Sequence, residues 1–414
     1  NVVGLTVESC YFEDSSAIGL VVQGTQVEPS KTRILNCGST RNVLAFYVQS
    51  RDEMIDAVND VIFENCVSDG DQWGFDVYLS RNVWYKSCIA RNTFTGGDEG
   101  GNGRGFTSDS NNDLHYINCL SENNIYNGFS SYINLNNLRA PGLTTYTDCI
   151  ARGNGGDGFL LANGHDITLT RVSSHNNALN GIHVRSTFRE DRQYYGFLIE
   201  DSSIYENDLN GIFLQGVRDS EIRSNLIYDN AQNAAETSSG IYIKNGTHLV
   251  PDLPSFDILI RDNTIEDTRG TPLHEYGIVS TGLTHDVTLL NNQISGYNIA
   301  PYELAGTANT IVASIQYDEW EAQWGSSLGS KFDDFDGDGI DNISEYFFGG
   351  DPTDPAVTGA LPEFAYVNGE LQFSYARRAN DSTIDYILES TADLSNPDWQ
   401  PVSNELGDRS FDGE

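Results

Sequence analysis

One recurring phrase constrains the fold of this chain more than any other feature. Its clearest copy is CLSENNIYNGFSSY at residues 119–132, in which a cysteine precedes a glycine by nine residues. Successive copies are never less than 22 residues apart and at most 38 apart. A fixed minimum with a variable excess is typical of a solenoid coil of constant circumference that carries loops of different length. The small residue of the phrase falls at Cys10, Cys37, Cys66, Cys88, Cys119, Cys149, Val172, Ser202, Asn225, Asn263 and Asn292.

The glycine of the phrase marks the start of a strand. It usually follows Asn or Asp, and we expect the glycine to turn the chain where a positive φ is needed. Side chains alternate along a strand, so the first and third residues after the glycine point inward. We therefore predict an all-β fold, a right-handed parallel β-helix of about eleven coils over residues 1–312, because parallel crossovers are almost always right-handed. The inward pairs are Phe129 and Ser131, Phe159 and Leu161, Ile182 and Val184, Ile212 and Leu214, and Ile241 and Ile243.

The cysteines of the repeat stand where valine, serine or asparagine stands in later coils. The position therefore takes a small side chain that stacks on the next coil. We expect free, buried thiols about 4.8 Å apart rather than a disulfide framework.

The repeat resembles the right-handed parallel β-helix (pectin-lyase-like) superfamily, which includes pectate lyases, polygalacturonases, alginate epimerases and phage tailspikes. The resemblance covers residues 1 to 312. It implies an active groove over one sheet, between loops that protrude from the coil ends, and a polysaccharide as the substrate.

The charge of the chain limits its partners. Sixty acidic and 23 basic residues give a net charge of −37, which repels nucleic acid and anionic membranes. No apolar run approaches the roughly 20 residues of a membrane span, and the opening NVVGLTVESC is strand-like rather than a signal peptide. We expect a secreted bacterial protein, extracellular or at the cell surface, that acts as a monomer.

The repeat stops before the C-terminal quarter of the chain. We predict a linker at 313–330, a calcium-binding loop at 331–355 and a small β accessory domain, which could be cut short, at 356–414. The spacing of acidic residues and a glycine in DFDGDGIDNISE is that of a calcium loop, whose carboxylates converge on one ion. The expected Ca²⁺ ligands are Asp334, Asp336, Asp338, the carbonyl of Ile340, Asn342 and Glu345.

This segment resembles the thrombospondin type 3-like and dockerin-like calcium loops of secreted bacterial proteins. The following GGDPTDP is typical of the same linkers. The resemblance implies a structural role for the ion, which stiffens a joint.

Outward residues of the strands after the glycines are candidates for a groove that binds an acidic polysaccharide. Aromatic and charged side chains in one line offer flat faces to sugar rings and donors to carboxylates. The outward pairs are Asp76 and Tyr78, Thr107 and Asp109, Ser130 and Tyr132, Leu160 and Ala162, His183 and Arg185, Phe213 and Gln215, and Tyr242 and Lys244.

A polysaccharide lyase that acts by β-elimination is the first hypothesis. Such an enzyme neutralises a uronate carboxylate, removes the C5 proton and protonates the leaving oxygen. Arg185 would neutralise the carboxylate, His183 or Lys244 would act as base, and Tyr132 or Tyr242 would donate the proton.

Two other functions stay open. A glycoside hydrolase needs two carboxylates, and Asp76 and Asp109 on neighbouring coils suit the separation of roughly 6.5–9.5 Å that inversion requires. The same pair could hold a second Ca²⁺ in the groove. The third function is a non-catalytic adhesin or binding spike that holds a polysaccharide.

Residues 65–132 also resemble the family 9 pectate lyases, which share the order of coil, glycine-rich insertion and GF strand. The resemblance implies a groove at this place. However, Asp109 stands where that family has its catalytic lysine, and Arg104 and Asn127 replace aspartates that bind calcium. These departures argue against the pectate lyase mechanism.

Overall fold

The structure is a computed structural model that describes residues 4–24, 31–50, 58–94, 103–109, 111–132, 142–162, 164–186, 194–233, 238–246, 253–312, 317–324, 328–367, 370–374, 389–391 and 400–401. The chain divides into two compact units, Asn1–Val312 and Ala313–Glu414.

The first unit is a solenoid in which each coil contributes strands to three parallel sheets. Every strand pairs with its counterparts in the neighbouring coils, so the predicted coil architecture is confirmed. Sheet 1 contains β1 Thr6–Glu8, β4 Thr32–Leu35, β7 Asn59–Glu64, β10 Arg81–Lys86, β13 Asn112–Ile117, β16 Gly142–Thr147, β19 His165–Thr170, β22 Tyr194–Tyr195, β23 Leu198–Glu200, β26 Val217–Arg223, β29 Phe256–Arg261, β32 Val287–Leu290 and β35 Thr310–Val312.

Sheets 2 and 3 each have eleven strands among the described residues, in agreement with about eleven coils. Sheet 2 contains β2 Tyr11–Glu13, β5 Gly38–Thr40, β8 Val67–Asp69, β11 Ile89–Arg91, β14 Leu120–Glu122, β17 Ile150–Arg152, β20 Ser173–His175, β24 Ser203–Tyr205, β27 Leu226–Tyr228, β30 Thr264–Glu266 and β33 Gln293–Ser295. Sheet 3 contains β3 Ile18–Gly24, β6 Leu44–Ser50, β9 Trp73–Tyr78, β12 Phe106–Asp109, β15 Phe129–Tyr132, β18 Phe159–Ala162, β21 Ile182–Arg185, β25 Ile212–Gln215, β28 Ser239–Lys244, β31 Tyr276–Ser280 and β34 Ala300–Glu303.

The glycines that precede the strands of sheet 3 are not at positive φ, so that expectation is wrong. Glycine is needed there because the coils approach closely: a Cβ at Gly128 would lie 2.7 Å from the carbonyl oxygen of Gly158.

Asparagine closes the turns between sheets 2 and 3. One asparagine in each of five successive coils donates its side-chain Nδ2 to the side-chain Oδ1 of the asparagine in the next coil, at 2.8–2.9 Å, and together they form a ladder. These bonds satisfy polar groups that the turn buries, which explains why the repeat is rich in asparagine. The ladder runs through Asn124, Asn154, Asn177, Asn207 and Asn230.

The core is built from like residues stacked on like. Phenylalanine rings at the first inward position of sheet 3 lie 4.7–4.8 Å apart, the spacing of the strands themselves. The six cysteines are free, as expected, and five are buried. Cys10 is exposed, contrary to the expectation of a fully buried ladder, because it lies in the first described coil, where the ladder has a neighbour on one side only.

The second unit has a different architecture. Helices α1 Tyr317–Gln323 and α2 Asn342–Phe348 pack around Trp320, Leu328 and Tyr346. Two antiparallel pairs follow, β36 Glu363–Val367 with β37 Glu370–Ser374, and β38 Glu389–Ser390 with β39 Gln400–Pro401. No helix in the described ranges is long and apolar enough to cross a membrane.

Candidate functional site

The outward face of sheet 3 has the register that the sequence predicts. One row runs through Asp76, Thr107, Ser130, Leu160, His183, Phe213 and Tyr242. The parallel row includes Tyr78, Asp109 and Tyr132, and then Ala162, Arg185, Gln215 and Lys244. Thr107, Ser130 and Leu160 are 5% exposed or less, so the first row is covered at its middle. The parallel row stays half-buried at Asp109, Tyr132, Arg185, Gln215 and Lys244, so it is the row that a ligand can reach.

Asp76 lies half-buried near one end of the face. Burial, and then the negative charge of Asp109, raise the pKa of its carboxyl to about 7. The positive charge of Arg104 opposes the shift only in part. Asp76 can therefore exchange a proton near neutral pH.

Arg104 lies between two aromatic rings beside Asp76. Its guanidinium carbon is 5.6 Å from the ring centre of Trp73 and 4.7 Å from that of Tyr132. Its Nε is buried and makes no hydrogen bond. The rings hold the cation in place by cation–π attraction without using its donors.

Most arginines that the structure describes are paired with an acidic residue. Among the described arginines, those that form a salt bridge with Asp or Glu are Arg33, Arg41, Arg91, Arg152, Arg171, Arg218, Arg223, Arg261 and Arg269. The described arginines without one are Arg81, Arg104 and Arg185. Arg81 is exposed on sheet 1, whereas Arg104 and Arg185 are half-buried at sheet 3 and each has a buried Nε without a partner. These two are therefore available to an anionic ligand.

Asn127 orients the hydroxyl of Tyr132. Its Oδ1 accepts the backbone N–H of Asp157 at 2.8 Å, and its Nδ2 lies 3.2 Å from the Tyr132 hydroxyl. A backbone N–H can only donate, so the orientation of the amide is determined. The amide donates to the tyrosine oxygen, and the hydroxyl proton of Tyr132 is left for another acceptor.

The predicted residues His183, Arg185, Tyr242 and Lys244 lie together farther along the face. His183 is 9% exposed, and both ring nitrogens are engaged, Nδ1 with Asp157 Oδ2 at 3.2 Å and Nε2 with Gln215 Oε1 at 3.0 Å. Its role as a base stays a prediction, and it would first require one of these bonds to break.

The aromatic rings of this region stack on each other. The His183 and Phe213 rings are 4.8 Å apart, and those of Phe213 and Tyr242 are 5.0 Å apart. The Tyr242 hydroxyl lies 3.1 Å from Thr281 Oγ1. Both faces of the Phe213 ring are thus covered by neighbouring side chains, contrary to the expectation that flat aromatic faces would be open to a sugar.

Sequence reasoning did not assign roles to Trp73, Arg104, Asn127 and Asp157. Asp157 carried a usable signal, because an acid stands where other coils have Asn127, Asn180 and Asn210 before the strand. Burial alone would raise its pKa, but the charge of His183 and hydrogen bonds from His183 and Asn180 outweigh burial and hold the pKa below its usual value.

The acidic loop of the second unit has the geometry of a cation site. Ligand atoms of Asp334, Asp336 and Asp338 lie within 4.8 Å of one another. Glu345 is fully buried, and neither carboxylate oxygen has a hydrogen-bond partner. Burial, and then the negative charges of Asp336 and Asp338, raise its pKa to about 7. A buried, unpaired carboxylate beside three others is costly unless a cation compensates it, so these residues fit Ca²⁺.

Asn342 also anchors the loop, and its Oδ1 is buried without a hydrogen-bond partner among the described residues. It is fully buried, and its Nδ2 donates to the carbonyls of Leu328 and Ser330 at 3.0 and 3.1 Å. Its amide therefore ties the start of α2 to the segment before the loop. Ligation by Asn342 and by the carbonyl of Ile340 stays a prediction.

Comparison with known proteins supports the fold. Residues 131–314 match the family model described as right handed beta helix region. The A-modules of the mannuronan C-5 epimerases AlgE4 and AlgE6 from Azotobacter vinelandii are similar in structure. The AlgE4 module has a TM-score of 0.62 and 18% identity over 75% of this chain and 84% of that one. The AlgE6 module has a TM-score of 0.60 and 16% identity over 73% and 79%.

A search of the curated proteins found no match in sequence. The matched family model covers the second half of the solenoid, and the parallel sheets and the structural similarity extend the same architecture over the rest of the first unit. This chain therefore has the right-handed parallel β-helix fold.

Proposed function

We propose that the first unit is a secreted carbohydrate-active enzyme that binds a uronate-containing polysaccharide along sheet 3 and removes the C5 proton of one sugar. One observation carries the proposal. Arg104, a half-buried arginine that forms no salt bridge with the described carboxylates, lies beside Asp76, a carboxyl group whose pKa is about 7. An anion-binding cation next to a base that works at neutral pH is what this chemistry needs.

Each group has a role in the reaction. Arg104 binds the uronate carboxylate and stabilises the charge that develops on it. Asp76 takes the C5 proton, and in a lyase the electrons of the broken C–H bond form the C4–C5 double bond while the C4–O bond breaks. Tyr132 gives its hydroxyl proton to the leaving oxygen, since Asn127 occupies an acceptor position of that hydroxyl.

The two similar structures support the choice of substrate. Their names say that they act at C5 of mannuronan, a polymer of uronic acid. An epimerase and a lyase share the removal of the C5 proton and differ in what happens next. We favour β-elimination, and C5 epimerisation is the closest alternative within the same chemistry.

A glycoside hydrolase remains a second candidate because of one observation. Asp109 is close enough to Asp76 to raise its pKa, which is how a pair of carboxyls becomes an acid and a base. The register places Thr107 beside Asp76 and Asp109 beside Tyr78, an offset of two residues on neighbouring coils.

One set of assays separates these functions. The protein is incubated with alginate, polygalacturonate and sulfated glycans in D₂O. Ultraviolet absorbance of an unsaturated uronate together with new reducing ends identifies a lyase. Deuterium at C5 without new ends identifies an epimerase, and new ends without absorbance identify a hydrolase. Binding without any reaction would leave only the adhesin.

We also propose that the loop from Asp334 to Glu345 binds a structural Ca²⁺. The ion would satisfy the unpaired oxygens of Glu345, which precedes Tyr346 in the core of the second unit. Among the described residues, only Asp334, Asp336 and Asp338 bring three such ligand atoms together, so a second Ca²⁺ at Asp76 and Asp109 stays a prediction.

Calcium removal tests this site. Chelation is expected to change the tryptophan fluorescence, because Trp320 packs 5.3 Å from Tyr346. Glu345→Gln is expected to weaken Ca²⁺ binding about 10-fold or more, as for a charged ligand. Glu363→Gln, an exposed change on β36, is the matched control. Equal calcium affinity in the two variants would show that Glu345 is not a ligand.

A further inference from the structure

Three polar side chains lie side by side on sheet 3 in the row beyond Tyr132. Arg185 on β21 pairs in register with Gln215 on β25, and Gln215 pairs with Lys244 on β28. A neutral amide is thus flanked by two cations on consecutive coils. The row lies four to six coils from Asp76, which is about 19 to 29 Å at the strand spacing of a sheet.

The two cations have no counter-charge in the described part of the chain. Neither Arg185 nor Lys244 forms a salt bridge there, although the chain has a net charge of −37 and most described arginines are paired. The Nε of Arg185 is also buried without a hydrogen bond. Leaving a buried charged donor unsatisfied costs free energy, so the arrangement is one that a bound anion would stabilise.

A series of hydrogen-bonded side chains holds the amide of Gln215 between Arg185 and Lys244. Asp157 is 3% exposed and contacts His183 Nδ1, and His183 Nε2 contacts Oε1 of Gln215. Asp157 is itself held by the side chain and backbone of Asn180, at 2.9 and 3.0 Å. With Oε1 engaged by His183, the Nε2 of Gln215 is the donor left for a ligand between the two cations.

We infer that Arg185, Gln215 and Lys244 form an anion-binding subsite, remote from Asp76, that takes further carboxylates or sulfates of the same polysaccharide. This inference rests on the proposed function for the nature of the ligand. It narrows the substrate class to long polyanionic chains that lie along sheet 3 from Asp76 to Lys244. His183 is then a positioning residue, which acts through Gln215.

The subsite is tested by measuring how affinity depends on the length of the polysaccharide. Affinity is measured by calorimetry on the Asp76→Asn protein, so that the polymer is not consumed. The probes are oligogalacturonates and oligoalginates of increasing length, with sulfated dextran to distinguish sulfate from carboxylate and single-stranded DNA as an unrelated polyanion. The variants are Arg185→Met, Lys244→Met and their combination, and Arg81→Met is the matched control because Arg81 is unpaired but exposed on sheet 1.

The expected result is a loss of affinity that grows with the length of the polysaccharide. The double variant should bind chains long enough to span the face about 10-fold or more weakly, as for lost charged hydrogen bonds, and short oligomers should lose much less. Arg185→Lys should retain part of the affinity. Circular dichroism identifies any variant that fails to fold. If the Arg185 variants do not fold, Lys244→Met still tests the subsite, because Lys244 is half-exposed and its replacement should not disturb the fold.

Three results would overturn the subsite: a change below about twofold for long chains, a loss of equal size at every length, or an equal loss in Arg81→Met. Tighter binding of DNA than of any glycan would overturn the assignment to a polysaccharide. Failure of the proposed function looks different, since the wild-type protein would bind long chains with the same length dependence and release no product.

Discussion

Asp76 lies on β9 of sheet 3, and Asp157 lies in the turn before β18 of the same sheet. Burial is the largest influence on both carboxyls and acts to raise both pKa values, yet the two pKa values are shifted in opposite directions. Burial and the negative charge of Asp109 raise the pKa of Asp76 to about 7, and the positive charge of Arg104 and the backbone N–H of Val77 offset this only in part. Asp157 has His183 and two donors from Asn180, so its pKa is lowered. The charge of the neighbouring side chain, together with the hydrogen bonds that the carboxyl accepts, thus decides whether it exchanges protons near neutral pH or holds its neighbours in place.

The largest expected effect comes from removing the carboxyl of Asp76. Asp76→Asn keeps the shape but cannot accept a proton, so turnover should fall about 100-fold or more, as for the loss of a general base. Asp157→Asn should reduce turnover far less, since Asp157 does not touch the reacting sugar in this proposal. Initial rates of product formation measure both, and equal losses in the two variants would contradict the division of roles.

For the stability of the fold, we expect Asp157→Asn to have the larger effect and Asp76→Asn the smaller one. Asp157→Asn inserts the residue that other coils have in the same turn, but it removes the negative charge that faces His183. The loss should be about 1–3 kcal/mol in the free energy of unfolding, the usual effect of a buried charged hydrogen bond. Chemical denaturation measures it, and a larger loss in Asp76→Asn would invert the comparison.

The pH dependence of stability gives the two carboxyls opposite signs. The folded pKa of Asp157 is lowered, so its contribution is present above the unfolded pKa near 3.8 and is lost as the pH falls through that region. The folded pKa of Asp76 is raised, so its contribution is present below pH 3.8 and is lost as the pH rises from 3.8 to about 7. The gap between wild type and Asp157→Asn should therefore close in acid, whereas Asp76→Asn should gain relative stability between pH 4 and 7. Melting temperatures across this range provide the measurement.

The outward position of the site residues could be predicted from the sequence alone. The nine-residue step from Cys119 to Gly128 and the alternation after it were enough to place Tyr132 on the outward face, because a strand period of two leaves no freedom once the coil length is known. The residues before the glycines offered a further signal, since an acid at position 157 breaks the row formed by Asn127, Asn180 and Asn210.

The protonation behaviour of the site could not be predicted in the same way. The pKa of Asp76 depends on how deeply neighbouring coils cover it and on where the guanidinium of Arg104 lies, and both follow from packing between residues far apart in the chain. His183 shows the same limitation. Its outward register was correct, but the sequence did not show that its nitrogens contact Asp157 and Gln215.

The smallest predicted effect concerns Asn127, which links the two regions because it contacts both Asp157 and Tyr132. Asn127→Asp preserves an acceptor for the backbone N–H of Asp157 but replaces the donor to Tyr132 with an acceptor, so the tyrosine would donate its proton to the introduced carboxylate rather than to the sugar. We expect turnover to fall about 10-fold, the loss that follows from one misdirected hydrogen bond.

The test is a double-mutant cycle with Tyr132→Phe. If Asn127 acts through the tyrosine, Asn127→Asp should add little in the Tyr132→Phe background, and the coupling should be about 1 kcal/mol or more. Additive losses would show that Asn127 acts on the turn alone. A new ion pair between the introduced carboxylate and Arg104 would instead raise KM in both backgrounds, because it would occupy the cation that binds the uronate, so the split between KM and kcat separates the two effects.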